Sequence, residues 1–170
     1  AFGKNLIEGI LKIAIFIGYT ALTALTKDIR RTYEYHGAEH KTIACYEHEE
    51  ELTVENVKKY TRFHPRCGTS FIFLVLFISI FVNTIFRVSW ASILLRVVIK
   101  IALLPIVTGI AYELIRLAGK YDNIFTKIIS APGLWIQRIT TSEPDESQIE
   151  CAIAALKACI PENKEDDKWQ

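Results

Sequence analysis

Eighteen consecutive residues without a charge, Thr69 to Phe86 (TSFIFLVLFISIFVNTIF), restrict this chain more than any other feature. A helix needs about 20 mostly apolar residues to cross the hydrocarbon core of a bilayer. Arg87 and Trp90 follow where an interface would fall. Leu6 to Leu25 is a second apolar block, interrupted only by Glu8 and Lys12, which can pair on one helical face. Ile93 to Ile115 is a third, with Arg96 and Lys100 in its first turns. A soluble domain can bury one such helix. Three in 170 residues predict an all-α integral membrane protein with spans at 6–25, 69–86 and 93–115, forming a single membrane domain over 1–170.

Orientation follows from Lys and Arg in the short loops. The segment 27–68 carries eight: Lys27, Arg30, Arg31, Lys41, Lys58, Lys59, Arg62 and Arg66. The connection between the second and third spans carries Arg87, while Arg116, Lys120, Lys127 and Arg138 follow the third span. The loop 27–68 and the C-terminal region are thus expected in the cytoplasm and the N-terminal end outside. Glu8, Lys12, Arg96 and Lys100 then share the outer level, either as a polar cluster between helices or as side chains snorkelling to headgroups. A net charge of +1 gives no bulk electrostatic case for a nucleic-acid partner.

The chain contains no Met, which suggests a processed or trimmed product, and its N-terminus lacks the pattern of a signal peptide. The cysteines (Cys45, Cys67, Cys151, Cys159) do not space as a disulfide framework. Cys151 and Cys159 lie eight residues apart on an expected helix, a rise of about 12 Å, too far to bridge. Reduced thiols facing the cytosol are the simpler reading.

Outside the spans, Arg30 to Tyr46 has few breakers and reads as a helix continuing the first span. Thr53 reads as the N-cap of a short helix whose Val54, Val57 and Tyr60 or Thr61 share a stripe. Residues 121–160 read as interfacial and C-terminal helices. In the first of these, Ile124, Phe125, Ile128, Ile129, Leu134, Trp135 and Ile136 flank a Pro132-Gly133 break, with Trp135 as interfacial anchor. Pro144 reads as a first helical position, followed by an apolar face of Ile149, Ala152, Ile153, Leu156 and Ile160. The charged tail 161–170 reads as disordered.

The strongest chemical signal is His36-Gly37-Ala38-Glu39-His40. On a helix, positions i, i+3 and i+4 share a face, so two imidazoles and a carboxylate project together. Two imidazoles one turn apart can chelate a metal ion, and an adjacent carboxylate can activate water. This is the H-x-x-E-H order of inverted zinc peptidases. His64-Pro65-Arg66-Cys67 adds a second ligand pair just before the 69–86 span. His36, His40, His64 and Cys67 suit tetrahedral zinc, with Glu39 as candidate general base. Glu113, a carboxylate inside the third span, is a further candidate ligand, or else an ion-pair partner of Arg116. Cys45 and His48 are spaced like another ligand pair, but Glu47, Glu49, Glu50 and Glu51 beside them point to a solvated loop.

Several blocks resemble one family. Tyr35-His36-Gly37-Ala38-Glu39-His40-Lys41, Leu52-Thr53-Val54-Glu55-Asn56-Val57, His64-Pro65-Arg66-Cys67-Gly68-Thr69-Ser70-Phe71, Tyr112-Glu113-Leu114, and Pro132-Gly133-Leu134-Trp135-Ile136-Gln137 with Thr140-Thr141-Ser142-Glu143-Pro144 are similar to the YqhQ-like bacterial membrane proteins. The resemblance covers nearly the whole chain. It implies a bacterial inner-membrane setting, a metal-dependent activity, and one site grouping the His, Glu and Cys residues. It also implies a further N-terminal region, glycine-rich and carrying an extra span, in family members.

Two functions follow as expectations. One is a membrane-bound zinc hydrolase with its site on the cytoplasmic face. The other is a closed structural zinc site in a protein that serves as partner or assembly factor of another membrane complex.

Overall fold

The computed structural model describes residues 2–85, 92–121 and 123–161, and seven α-helices with no strand occur among them. These are α1 (Phe2–Thr23), α2 (Lys27–Glu47), α3 (Val54–Lys58), α4 (Gly68–Ile85), α5 (Ile93–Lys120), α6 (Ile124–Thr140) and α7 (Glu146–Cys159). The expected all-α class holds. Two helices are long and apolar enough to cross a membrane: Leu6–Thr23 within α1, and Ile93–Lys120. The third expected span falls on α4, whose apolar part, Gly68–Asn83, is shorter. Arg87, Trp90 and the tail from Glu162 onward lie outside the described residues.

The chain divides into two units, the first made of Ala1–Thr23 with Pro65–Ile139, the second of Ala24–His64 with Thr140–Gln170. In the first unit α4 packs against both α1 and α5. Ile78 and Val82 of α4 meet Val107 and Ala111 of α5, with Phe71, Leu74, Val75, Leu103 and Leu114 around them. Most apolar side chains here point outward. Ile15 is 61% exposed, Ile101 66% and Leu94 77%.

α6 opens on a reciprocal cap, in which Asn123 Oδ1 accepts from the Thr126 amide at 3.0 Å and Thr126 Oγ1 accepts from the Asn123 amide at 3.1 Å. The expected break at Pro132-Gly133 does not occur, because the helix runs through both residues. Pro132 has no N–H to give to the Ile128 carbonyl. Gly133 lets the helix approach α4: a Cβ there would lie 2.5 Å from the Ser70 side chain. Nearby, the buried Gln137 donates to Ser70 Oγ at 2.8 Å. The opposite face of α6 leaves Ile124, Phe125, Ile128 and Trp135 exposed, as its amphipathic pattern requires.

The second unit is ordered the other way, with apolar residues inside. Ala38 and Cys45 of α2, Val57 of α3, and Ile149 and Ile153 of α7 form its core, closed by Leu52, Val54, Tyr60 and Ala152. Burying each Val or Ile side chain contributes about 1.5–3 kcal/mol. Thr53 caps α3 as expected, accepting from the Asn56 amide at 3.3 Å. α2 does not continue α1, since residues 24–26 are a turn and bend between them. Nor does Pro144 begin α7. Asp145 does so as N-cap, in a capping box: its side chain accepts from the Gln148 amide at 2.9 Å, and Gln148 returns the bond at 2.9 Å. The reciprocal pair satisfies two of the backbone amides that a helix start leaves without a partner.

Candidate metal centre

His36 and His40 project one turn apart from α2, their ring centroids 4.3 Å apart in an edge-on arrangement. Their ligand nitrogens lie within 4.8 Å of each other. His64, in the segment after α3, brings a third ring 5.6 Å from His40. His40 and His64 are buried, and His36 is half-buried.

The second nitrogen of each ring fixes what the first can do. His36 Nδ1 lies 2.8 Å from the Thr140 carbonyl oxygen, and His40 Nδ1 lies 2.6 Å from that of Arg62. A carbonyl only accepts, so each neutral ring carries its proton on Nδ1 and its lone pair on Nε2. His64 is held the other way round. Its Nε2 lies 3.4 Å from Glu47 Oε2, so in the neutral ring Nε2–H donates to the carboxylate and the lone pair sits on Nδ1. Outer partners of this kind are what orient ligating histidines in metal sites.

The carbonyls are brought there by close packing at Gly37. A Cβ at this position would collide with the backbone carbonyl of Ser142, so only glycine lets α2 lie against residues 140–142. The Ser142 amide donates to the Tyr33 carbonyl at 2.9 Å, holding the segment in register with α2. Arg62 donates from Nη1 to the Thr141 carbonyl and, at 3.4 Å, to Thr141 Oγ1. The nearly buried Lys41 pairs with Glu143 Oε2 at 2.6 Å, and Arg62 Nε lies 3.6 Å from Glu143 Oε1. Arg62 therefore supplies a carbonyl to His40 and a guanidinium to the segment whose Thr140 carbonyl meets His36.

Glu39 is exposed on α2, on the solvent side of the histidine pair. Cys67 is buried just ahead of α4 in the first unit, its Sγ 3.0 Å from Thr69 Oγ1. Glu113 lies on α5, also in the first unit, exposed and 3.6 Å from Arg116. Cys45 belongs to the core, its thiol 3.7 Å from the Glu51 carbonyl, and burial pushes its pKa up. His48 caps the end of α2 at the Ala44 carbonyl, 2.7 Å away, and leans on Tyr60. The sequence reading missed Glu47, grouped there with a solvated acidic run. Its seven-residue spacing from His40 is the signal that places it on the ligand face.

The match to known proteins covers nearly the whole chain. The family model described as "Protein of unknown function (DUF1385)" matches residues 1–162. The chain is 42% identical over 155 residues to "Uncharacterized protein YqhQ" of Bacillus subtilis (strain 168), an alignment covering 91% of this chain and 48% of that protein. It thus spans about half the length of the curated relative it matches. No solved structure matches it.

Proposed function

This chain belongs to the DUF1385 family of proteins of unknown function, and from that premise we propose that it is a membrane-spanning protein that holds a divalent transition metal, zinc first, on His36, His40 and His64. One observation carries the reading: the His36 and His40 rings are each fixed through Nδ1 to a backbone carbonyl. That bond directs the Nε2 lone pair of both rings to the face where ligation needs it. Cys67, three residues after His64 in the H-x-x-C spacing, is the proposed fourth ligand. Glu113 is the weaker candidate, since Arg116 already compensates its charge.

The bilayer reading is supported by the first unit, whose two longest apolar windows bury only 11% and 6% of their residues. An apolar surface of that extent is matched by hydrocarbon and not by water. The family resemblance favours the bacterial inner membrane as that bilayer, and the Lys and Arg of the loops favour a cytoplasmic face for the proposed metal site.

The proposed activity is hydrolysis, with peptide or amide bonds as the first substrate class. Zinc, when bound, supplies Lewis acidity toward a substrate oxygen. Glu39, on the solvent side of the ligands, is the proposed general base for the attacking water. A second reading, a closed structural site in a protein that docks with another membrane complex, is favoured by the Cys67 thiolate, since four protein ligands leave no open position.

The variant Glu39→Gln separates the two without knowledge of the substrate. As general base, its loss leaves metal content and thermal midpoint near wild type and lowers cellular function by about 10²–10⁴-fold. Unchanged function in a variant that keeps metal and stability removes Glu39 from the chemistry and leaves the structural reading.

A further inference from the structure

Within the first unit, the first half of α1, the second half of α4 and the first half of α5 enclose a cavity of about 360 Å³. Glu8, Lys12, Arg96 and Lys100 line it, together with Ser79 and Asn83. Glu8 Oε1 lies 2.6 Å from Lys12 Nζ and 3.7 Å from Lys100 Nζ, so one carboxylate faces both lysines. Arg96 has no share in this. Its Nε is buried and, among the described residues, has no hydrogen-bond partner. The neighbouring polar groups are already engaged along their own helix: Ser79 Oγ donates to the Val75 carbonyl at 2.7 Å and Asn83 Nδ2 to the Ser79 carbonyl at 2.6 Å.

Three cations thus meet one carboxylate in a pocket whose other walls, among them Ile13, Leu103 and Val107, are apolar. A guanidinium is always charged, and a buried donor without an acceptor is costly. The planar fork of Nε and Nη is shaped for two oxygens of one anion. We propose that this cavity is an anion site in which Arg96, assisted by Lys100 and Lys12, holds a negatively charged phosphate group. The apolar walls suit an amphiphile, so an anionic lipid headgroup is the favoured source, a choice that rests on the bilayer reading. A free phosphate is the other source of the same chemistry. The metal centre plays no part in this inference.

The test uses the full chain purified in mild detergent, with added phosphatidylglycerol, phosphatidylcholine or inorganic phosphate. Native mass spectrometry reads lipid retention and calorimetry reads phosphate. Phosphatidylglycerol should be retained at least about tenfold more strongly than phosphatidylcholine. Arg96→Gln should weaken that retention about tenfold or more, and Arg96→Lys, which keeps the charge and loses the fork, should weaken it less. Lys120→Gln, at the far end of α5, should leave it unchanged. If Arg96→Gln does not fold, judged by helicity, Arg96→Lys and Lys100→Gln carry the comparison. Inorganic phosphate binding that depends on Arg96, without selective lipid retention, supports the site and assigns it to a free phosphate. Equal retention of both lipids, together with no Arg96-dependent phosphate binding, overturns the proposal.

Discussion

His40 Nδ1 lies 2.6 Å from the carbonyl oxygen of Arg62, a residue twenty-two positions further along the chain. The bond ties the imidazole to the segment that ends in His64, so the second and third ligand candidates are positioned by one stretch of backbone. Its counterpart, His36 Nδ1 to the Thr140 carbonyl at 2.8 Å, reaches across 104 positions. In the proposed metal site, affinity should therefore depend on main-chain placement as well as on the histidines.

Gly37→Ala tests that dependence without touching a ligand. The added Cβ meets the Ser142 carbonyl, so residues 140–142 must move away from α2. Stability should fall by about 1–3 kcal/mol, the usual cost of overpacking. Metal affinity should fall with it, because the Thr140 carbonyl that orients His36 moves in the same displacement. Chemical denaturation and a competitive zinc titration measure the two effects. Unchanged affinity in a destabilised variant would separate the packing from the metal site.

How much of this was legible in the residues follows from what each feature depends on. The histidine pair on one face of α2 could be read because side-chain identity at helical spacing carries it, and so could the stripes of α3 and α7. The carbonyls of Thr140 and Arg62 could not, because every residue has a carbonyl and only the fold selects two of them. Gly37 held a clue, since a glycine inside a helix lowers its propensity and calls for a reason in packing. Pro132-Gly133 misled for the same reason in reverse: the pair suggested a break, while the glycine serves a close contact with Ser70. Pro144 misled because the reciprocal Asp145–Gln148 cap outweighs proline's preference for the first turn.

Native thiols report both orientation and burial. Cys151 and Cys159 are exposed on α7, whereas Cys45 is buried with its pKa raised by desolvation. An impermeant maleimide should label Cys151 and Cys159 rapidly in inside-out vesicles and leave them unlabelled on intact cells. Cys45 should react only after denaturation, because less of it is thiolate at neutral pH and the reagent has no path to it. Labelling of Cys151 and Cys159 from outside would reverse the orientation read from loop charges.

The start of α7 gives a pH prediction. The hydroxyl of Ser147, 2.7 Å from Asp145 Oδ1, holds the carboxyl below its ordinary value of 3.8, with the Gln148 amide contributing next. A pKa lower in the folded than in the unfolded state stabilises the fold above the ordinary value, and this contribution disappears as pH falls through the depressed one. The thermal midpoint of Asp145→Ala should therefore lie below that of wild type at neutral pH. The gap should narrow as the pH drops below about 4. A gap that stays constant through that range would mean the charge of the cap contributes nothing.

Elemental analysis of the purified protein tests most directly whether His36, His40 and His64 act as one metal centre. Wild-type protein should carry about one zinc per chain, as a single tetrahedral site requires. His36→Ala, His40→Ala and His64→Ala should each lose it, with chelation lowering the wild-type thermal midpoint and leaving those of the variants in place. Equal metal content in wild type and all three variants, each shown to be folded by its helicity, would contradict the account.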